Sequence, residues 1–290
     1  MKLINKYLNG NCSVTLYDDG TKIREYENEP CPIMPESIDY KITDFCDAKC
    51  SWCHESSTVK GKHASLNSIQ ASLQDASAGM EVAIGGGDPF SHPDFFSIIA
   101  WMRKKGLVSN VTVNARHVRR YKDKIAKARQ AGVYGIGISW HKPFEQDILN
   151  VIDNRTVLHF IAGVDNINDA IRLAKSGVKR FLVLGYKSYG RGELFYSKEV
   201  SKNINKWRYW IGKLMKSGAI ISFDNLGIKQ LNVKQWINES MWNERYMGDD
   251  GRFTMYVDAV TDSFAKTSTC ERVNRGDKTL KEMFEVVREI

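Results

Sequence analysis

The sequence predicts an α/β fold: a partial, open (β/α)6 TIM-like barrel with an N-terminal β-hairpin and a short C-terminal β/helix extension. Three observations carry that expectation. From residue 37 onward, short β-like runs alternate with helical patterns, which implies right-handed βαβ units and a parallel sheet. The units number six or seven, short of the eight in a closed barrel. Near the N-terminus, two alternating runs flank Asp18-Asp19-Gly20, and Asp-Gly between such runs is a strong hairpin signal.

The elements follow in order. Asn11-Cys12-Ser13-Val14-Thr15-Leu16-Tyr17 and Thr21-Lys22-Ile23-Arg24-Glu25-Tyr26 form the hairpin, and Pro30, Pro32 and Pro35 make a rigid link. Residues 37–45 read as a strand entering a cysteine-rich loop. A helix at 66–78 precedes a strand at 81–84 that runs into glycines. The helix at 93–105 carries Pro93 in its first turn, where the missing N–H does no harm. Strands at 110–114, 135–140, 156–162, 180–185 and 219–224 alternate with helices at 118–131, 144–152, 167–176 and 198–217. A short β segment over 253–268 and an amphipathic helix at 279–288 complete the chain. This divides it into a hairpin and linker (1–36), a core domain (37–225) and a capping extension that closes over substrate (226–290). In such a barrel the functional residues lie at the C-terminal ends of the strands.

With 290 residues, 42% of them hydrophobic and 26% charged, the chain has material for one large folded α/β domain. It has no apolar run of about 18 residues, so no membrane span is expected. Met1-Lys2-Leu3-Ile4-Asn5-Lys6 leads into no apolar signal core, so a cytoplasmic location is expected. The net charge of +8 favours an anionic partner, although the run Arg119-Arg120-Tyr121-Lys122-Asp123-Lys124 reads first as the wet face of a helix. Trp207 and Trp210, among Lys206, Arg208 and Lys213, read as a half-buried amphipathic face or as a nucleic-acid surface. Six cysteines in a chain of this length do not suggest a disulfide framework. Three fall within eight residues, which points to metal. Cys12, Cys31 and Cys270 are scattered and receive no role.

The cluster reads Cys46-Asp47-Ala48-Lys49-Cys50-Ser51-Trp52-Cys53-His54, a C-x3-C-x2-C spacing. A short loop with three thiolates suits three corners of an iron–sulfur cube and leaves one iron open to another ligand. Two other readings stand beside it. With His54 the loop offers a fourth ligand to zinc, or the cysteines are small buried residues. At the end of the next strand comes Gly85-Gly86-Gly87-Asp88-Pro89, by itself a turn signal.

Taken together, the two motifs resemble those of the radical S-adenosylmethionine (radical SAM) superfamily. The aromatic before the last cysteine matches, and the glycine segment is similar to that family's GGEP, with Asp in place of Glu. The resemblance spans residues 37–225. It implies that Cys46, Cys50 and Cys53 ligate one [4Fe–4S] cluster and that S-adenosyl-L-methionine (SAM) chelates the fourth iron. It places Trp52 near the adenine and the carbonyls of Gly85, Gly86 and Gly87 on the SAM ammonium, with Asp88 keeping the family's carboxylate. An external flavodoxin- or ferredoxin-like one-electron donor, reductive SAM cleavage to a 5′-deoxyadenosyl radical and abstraction of a substrate hydrogen are implied as well.

Other strand ends supply further candidates. Asn114 and Ser139 read as contacts to the SAM ribose or carboxylate, or as ordinary strand-end caps. His159 reads as a hydrogen-bonded core histidine or a substrate contact. Lys187 and Arg191, between glycines, form a clamp for phosphate or carboxylate or a flexible basic loop. Asp224 is a candidate substrate contact, and His54-Glu55 directly follows the cysteines without an assigned role. The C-terminal extension is similar in position to the SPASM and twitch extensions, but with Cys270 alone no auxiliary cluster is expected. The substrate stays open between a nucleotide or nucleic-acid base, a peptide and a small anionic metabolite. Competing readings are a glycyl-radical activase acting on a partner protein and a non-catalytic zinc or iron–sulfur binding module.

Overall fold

The computed structural model describes residues 1–141 and 145–290. Three strands, β1 (Leu3–Asn9), β2 (Cys12–Tyr17) and β3 (Lys22–Glu25), form an antiparallel N-terminal sheet. There follow β4 (Ser37–Thr43), α1 (Leu66–Ser72), β5 (Glu81–Gly86), α2 (Phe95–Lys104), β6 (Val108–Asn114) and α3 (Ala115–Ala131). The pattern continues with β7 (Gly135–Ser139), α4 (Glu145–Leu149), β8 (Thr156–Ile161), α5 (Ile167–Lys175) and β9 (Arg180–Leu184). Next come α6 (Arg191–Phe195), α7 (Lys198–Met215), β10 (Ile220–Phe223), α8 (Asn225–Leu231) and α9 (Glu239–Arg245). The chain ends with β11 (Thr254–Asp258), β12 (Ser263–Ala265), β13 (Val273–Asn274) and α10 (Leu280–Glu289).

Strands β4 to β10 pair in sequence order as a parallel sheet, the arrangement expected of six βα units and a closing strand. The sheet stays open. Its order runs β10-β9-β8-β7-β6-β5-β4-β11-β12-β13, so β10 and β13 are its free edges. The late strand β11 lies parallel to β4, with Tyr256 opposite Asp39, so the sheet crosses the boundary expected at 225.

Each parallel strand presents one face to helices and one to the interior. The outward row, including Ile38, Tyr40, Val82, Ile84, Val111, Ile136, Phe160 and Val183, is at most 1% exposed. It packs against Ile98, Ile99, Ile125, Leu173, Trp207 and Ile211 of the helices, and this burial is the main stabilising term. The inward row is different in kind. Asp39, Ala83, Thr112, His159 and Leu182 line an open cavity, where a closed barrel stacks bulky branched side chains.

Side-chain caps mark where helices begin. Asn114, Asn166, Ser197 and Asp224 accept a backbone N–H at the starts of α3, α5, α7 and α8, and Thr279 with Glu282 forms a reciprocal capping box on α10. The N-terminal sheet is tied to the barrel by Glu36, which is 1% exposed and takes both Nε and Nη2 of Arg24 at 2.7 Å. Lys22 bridges Glu36 at 3.5 Å and Glu81 at 2.6 Å.

Several elements differ from the sequence expectation. The expected hairpin is β2–β3, and β1 adds a third strand to it. Tyr7 pairs with the buried Val14, while Leu3, Ile4 and Leu8 are exposed and the register shifts between Leu3 and Asn5, so no one-sided apolar pattern announces it. The helix expected over 66–78 stops at Ser72, ahead of a turn closed by Gly79 in a left-handed conformation. The first residue of the helix expected over 144–152, Phe144, lies outside the described residues, and α4 spans Glu145–Leu149. The short α6, α8 and α9 had no sequence expectation.

Where β5 ends, Gly86 pairs with Thr43 at φ +104°, and a Cβ there would collide with the Thr43 carbonyl oxygen. Gly86→Ala is therefore expected to destabilise the protein by about 1–3 kcal/mol, measured by urea denaturation.

Candidate active site

The cysteine loop leaves β4 with little regular structure, so hydrogen bonds must hold it. The Cys46 N–H donates to the Thr58 carbonyl at 2.9 Å, and the Thr58 N–H donates back to Asp44 at 3.1 Å. Two arginines brace the rest. Arg116 at the start of α3 donates to the Ala48 carbonyl at 2.7 Å. Arg191, the first residue of α6, donates from Nε to the Cys50 carbonyl at 3.1 Å and from Nη1 to Ser57 at 3.0 Å. Its own backbone N–H donates to the Cys53 carbonyl at 3.1 Å. Charge-assisted bonds of this kind are roughly twice as strong as neutral ones.

The glycine segment closes beside it. The Gly87 N–H donates to Thr43 and the Asp88 N–H to Phe45, both at 2.7 Å. A Cβ on Gly87 would strike the Phe45 carbonyl, so the two loops touch backbone to backbone. At Gly85 a Cβ would meet nothing, because that position borders open cavity.

The Asp88 side chain turns away from this cavity. It is buried against α3, where Tyr121 donates to Oδ2 at 2.6 Å and Arg120 Nη2 donates at 3.2 Å. Arg120 and His117 also reach Asp47 at 2.7 Å, so α3 braces the cysteine loop and the glycine turn together. Asp47, Asp88 and His117 lie close enough to share a cation, but Arg120 already supplies the positive charge between the carboxylates.

One cavity of about 330 Å³ at the C-terminal ends of the strands is lined by Cys46, Cys50, Cys53, Trp52 and Gly85 to Gly87. Asn114, Ser139, His159, Lys187 and Arg191 line it too. Of the residues expected at the site, only Asp88 and Asp224 lie outside this lining. Asp224 instead accepts the Gly185 N–H at 2.8 Å and the Gly227 N–H at 2.7 Å. Asn114 has two contacts: Oδ1 caps α3, and Nδ2 donates to Cys50 Sγ at 3.4 Å. The Trp52 ring meets His141 and Phe195 edge-on, with centroids at 5.1 and 5.6 Å.

Charge inside the cavity is mostly paired. Lys41 reaches Asp44, Glu55 and Asp258 at 2.5, 2.9 and 3.1 Å. Burial opposes the Glu55 charge, but His54 and Lys41 hold its carboxyl well below the usual range. Glu55 also accepts the Tyr256 hydroxyl at 3.0 Å. Lys187 donates to Ser268 at 2.7 Å. Burial, with the charge of His141, lowers His159 to about 4, leaving its imidazole neutral near pH 7. Its ring has no hydrogen-bond partner among the described residues, unlike the hydrogen-bonded core histidine the sequence suggested. Burial pushes the Cys46 thiol up to about 11 and raises Cys50 as well, so a metal ion must displace protons to bind there.

Sequence reasoning missed Lys41, His141, Asp165 and Tyr256. His141 has φ +42°, and its N–H and Nδ1 lie 3.1 and 3.2 Å from Asp165 Oδ1. Its place two residues after Ser139, where β7 ends, was the available signal. Tyr256 comes from β11, whose pairing with β4 no local pattern announces.

The donor set fits an iron–sulfur cluster: three thiols from one loop and a glycine turn without side chains meet at one cavity. Comparison with known proteins agrees. The model of the Radical SAM superfamily matches residues 40–187, half of the chain. Among solved structures, Streptococcus suis SuiB bound to S-adenosylmethionine is similar at a TM-score of 0.60 and 13% identity, over 89% of this chain and 68% of SuiB. SuiB bound to its precursor peptide SuiA gives 0.59 and 13% over the same shares. With motifs, fold and family model in accord, this chain belongs to the radical SAM superfamily.

Proposed function

We propose that the protein binds one [4Fe–4S] cluster on Cys46, Cys50 and Cys53, with SAM on the open iron. The observation that carries this is the shared cavity, which puts three thiols and the bare glycine turn within one enclosure. When bound, the cluster supplies the electron that cleaves SAM to methionine and a 5′-deoxyadenosyl radical, which takes a hydrogen from substrate.

The chain's own residues do the rest. Gly85 to Gly87 present backbone carbonyls without steric cost, and the Asn114 amide steadies the Cys50 sulfur. Trp52, fixed by His141 and Phe195, forms the adenine side of the cavity. Ser139 is the remaining polar contact for the ribose or carboxylate. Arg191 acts through the loop it braces, so a clamping role falls to Lys187 alone. A flavodoxin- or ferredoxin-like donor would dock over the cysteine loop, where Leu194 is 88% exposed beside Lys49 and Val59.

Two outcomes are expected. Cys50→Ala, reconstituted anaerobically, loses its iron and its reductive formation of 5′-deoxyadenosine, whereas replacing Cys12, Cys31 or Cys270 leaves iron content unchanged; iron assay and chromatography of the nucleoside check both. His159 titrates near 4 in the fold against an ordinary value of 6.5. Between these pH values the unfolded chain binds more protons, so this residue's contribution to stability falls as pH drops from 6.5 to 4. His159→Gln is expected to lose less of its thermal midpoint than wild type over that interval, as followed by circular dichroism.

A further inference from the structure

The barrel interior continues beyond the cysteine loop. Asp39, on the inward row of β4, lines the mouth cavity and also a second one of about 230 Å³. That second cavity lies where β10 faces β11 without pairing, and Phe223, Asp224, Thr254 and Met255 form its walls. The lumen can therefore be entered from the side, and Asp39 stands where the two spaces meet.

Among the described residues, Asp39 makes no hydrogen bond or ion pair. The other charged groups facing the lumen have partners: Lys41 has its three carboxylates, Arg191 the loop carbonyls and Lys187 the Ser268 hydroxyl. Lys187 acts on Asp39 only from beyond ion-pair distance, while Asp250 and Glu55 repel its charge. The carboxylate is open to cavity water, yet the barrel wall encloses it enough for burial to raise its pKa. Open to that water and without a partner among the described residues, the carboxylate is free to pair with a cation that enters the lumen. The neutral His159 ring, also without a partner, lines the same lumen.

The side entrance repeats the sign. Asp224, Asp249 and Asp250 line it against Lys266, while Lys22 and Arg24 there are already paired with Glu36. The local field is thus negative in a chain whose net charge is +8, and it is the local field that selects what enters a cleft.

We propose that Asp39 is the substrate-recognition residue of the lumen, pairing with a protonated amine or guanidinium on the substrate. A lysine-like or arginine-like side chain carries the chemistry that fits: a cationic head for Asp39 and an apolar stem for Leu182 and Ile161, which also line the cavity. This rests on the cofactor reading only for where the reacting carbon lies.

The test titrates three probes, the N-acetyl amides of lysine, norleucine and glutamate, into the reconstituted protein and into Asp39→Asn by calorimetry. Wild type is expected to bind the lysine probe about tenfold more tightly than norleucine, with glutamate weakest and the preference gone in Asp39→Asn. Equal binding, a glutamate preference, no lysine-probe binding, or a lysine preference kept by Asp39→Asn would overturn the proposal. If circular dichroism shows that variant unfolded, the order of the three probes on wild type decides. Substrate-free SAM cleavage by the same wild-type preparation tests the cofactor reading separately, since its absence leaves the probe order unaffected.

Discussion

The site depends on Arg191. A loop that must present three sulfurs in one direction has no helix or strand to shape it, and its carbonyls would otherwise be free to turn. Arg191 joins it, through Cys50 and Ser57, to a segment 141 and 134 residues away in sequence. Because Arg191 also starts α6, the loop after β9 and the loop after β4 are fixed against each other. Gly190 and Gly192 permit this contact, since side chains there would strike the carbonyls of His54 and Lys187. On the far side α3 performs the matching task through Arg116, His117 and Arg120.

A second constraint is the hollow interior. Polar and small residues on the inward row leave space that a closed barrel would fill, so the outward row must supply nearly all the apolar burial. The vacated space gives the cavity its depth. It also leaves Asp39 and His159 facing cavity rather than packed side chains, without hydrogen-bond partners among the described residues, and ionisable groups placed so in a cleft gather at functional sites.

Much of this was legible in the sequence because it is local. The alternation of strands and helices, the cysteine spacing and the glycine turn are all readable within a few residues, and each lands at a strand end. What escaped is what depends on distant pairing. Tyr256 enters the cavity because β11 adds to β4, and Lys41 is a site residue because Glu55 and Asp258 converge on it. Asp88 reads as a cofactor contact beside the glycines, yet the approach of α3 turns its carboxylate outward. Arg191 reads as an anion clamp until its hydrogen bonds are traced to the cysteine loop. Asp39 looks like one polar residue of an alternating strand, and only the open barrel makes it face a void.

The central claim is that three cysteines hold a cluster with one iron left for SAM. Electron paramagnetic resonance of the anaerobically reconstituted, reduced protein, before and after adding SAM, tests it most directly. About four irons per chain and a reduced-cluster signal whose g-values shift on adding SAM are predicted. Zinc in place of iron, or an iron–sulfur signal that SAM leaves unchanged, would contradict it.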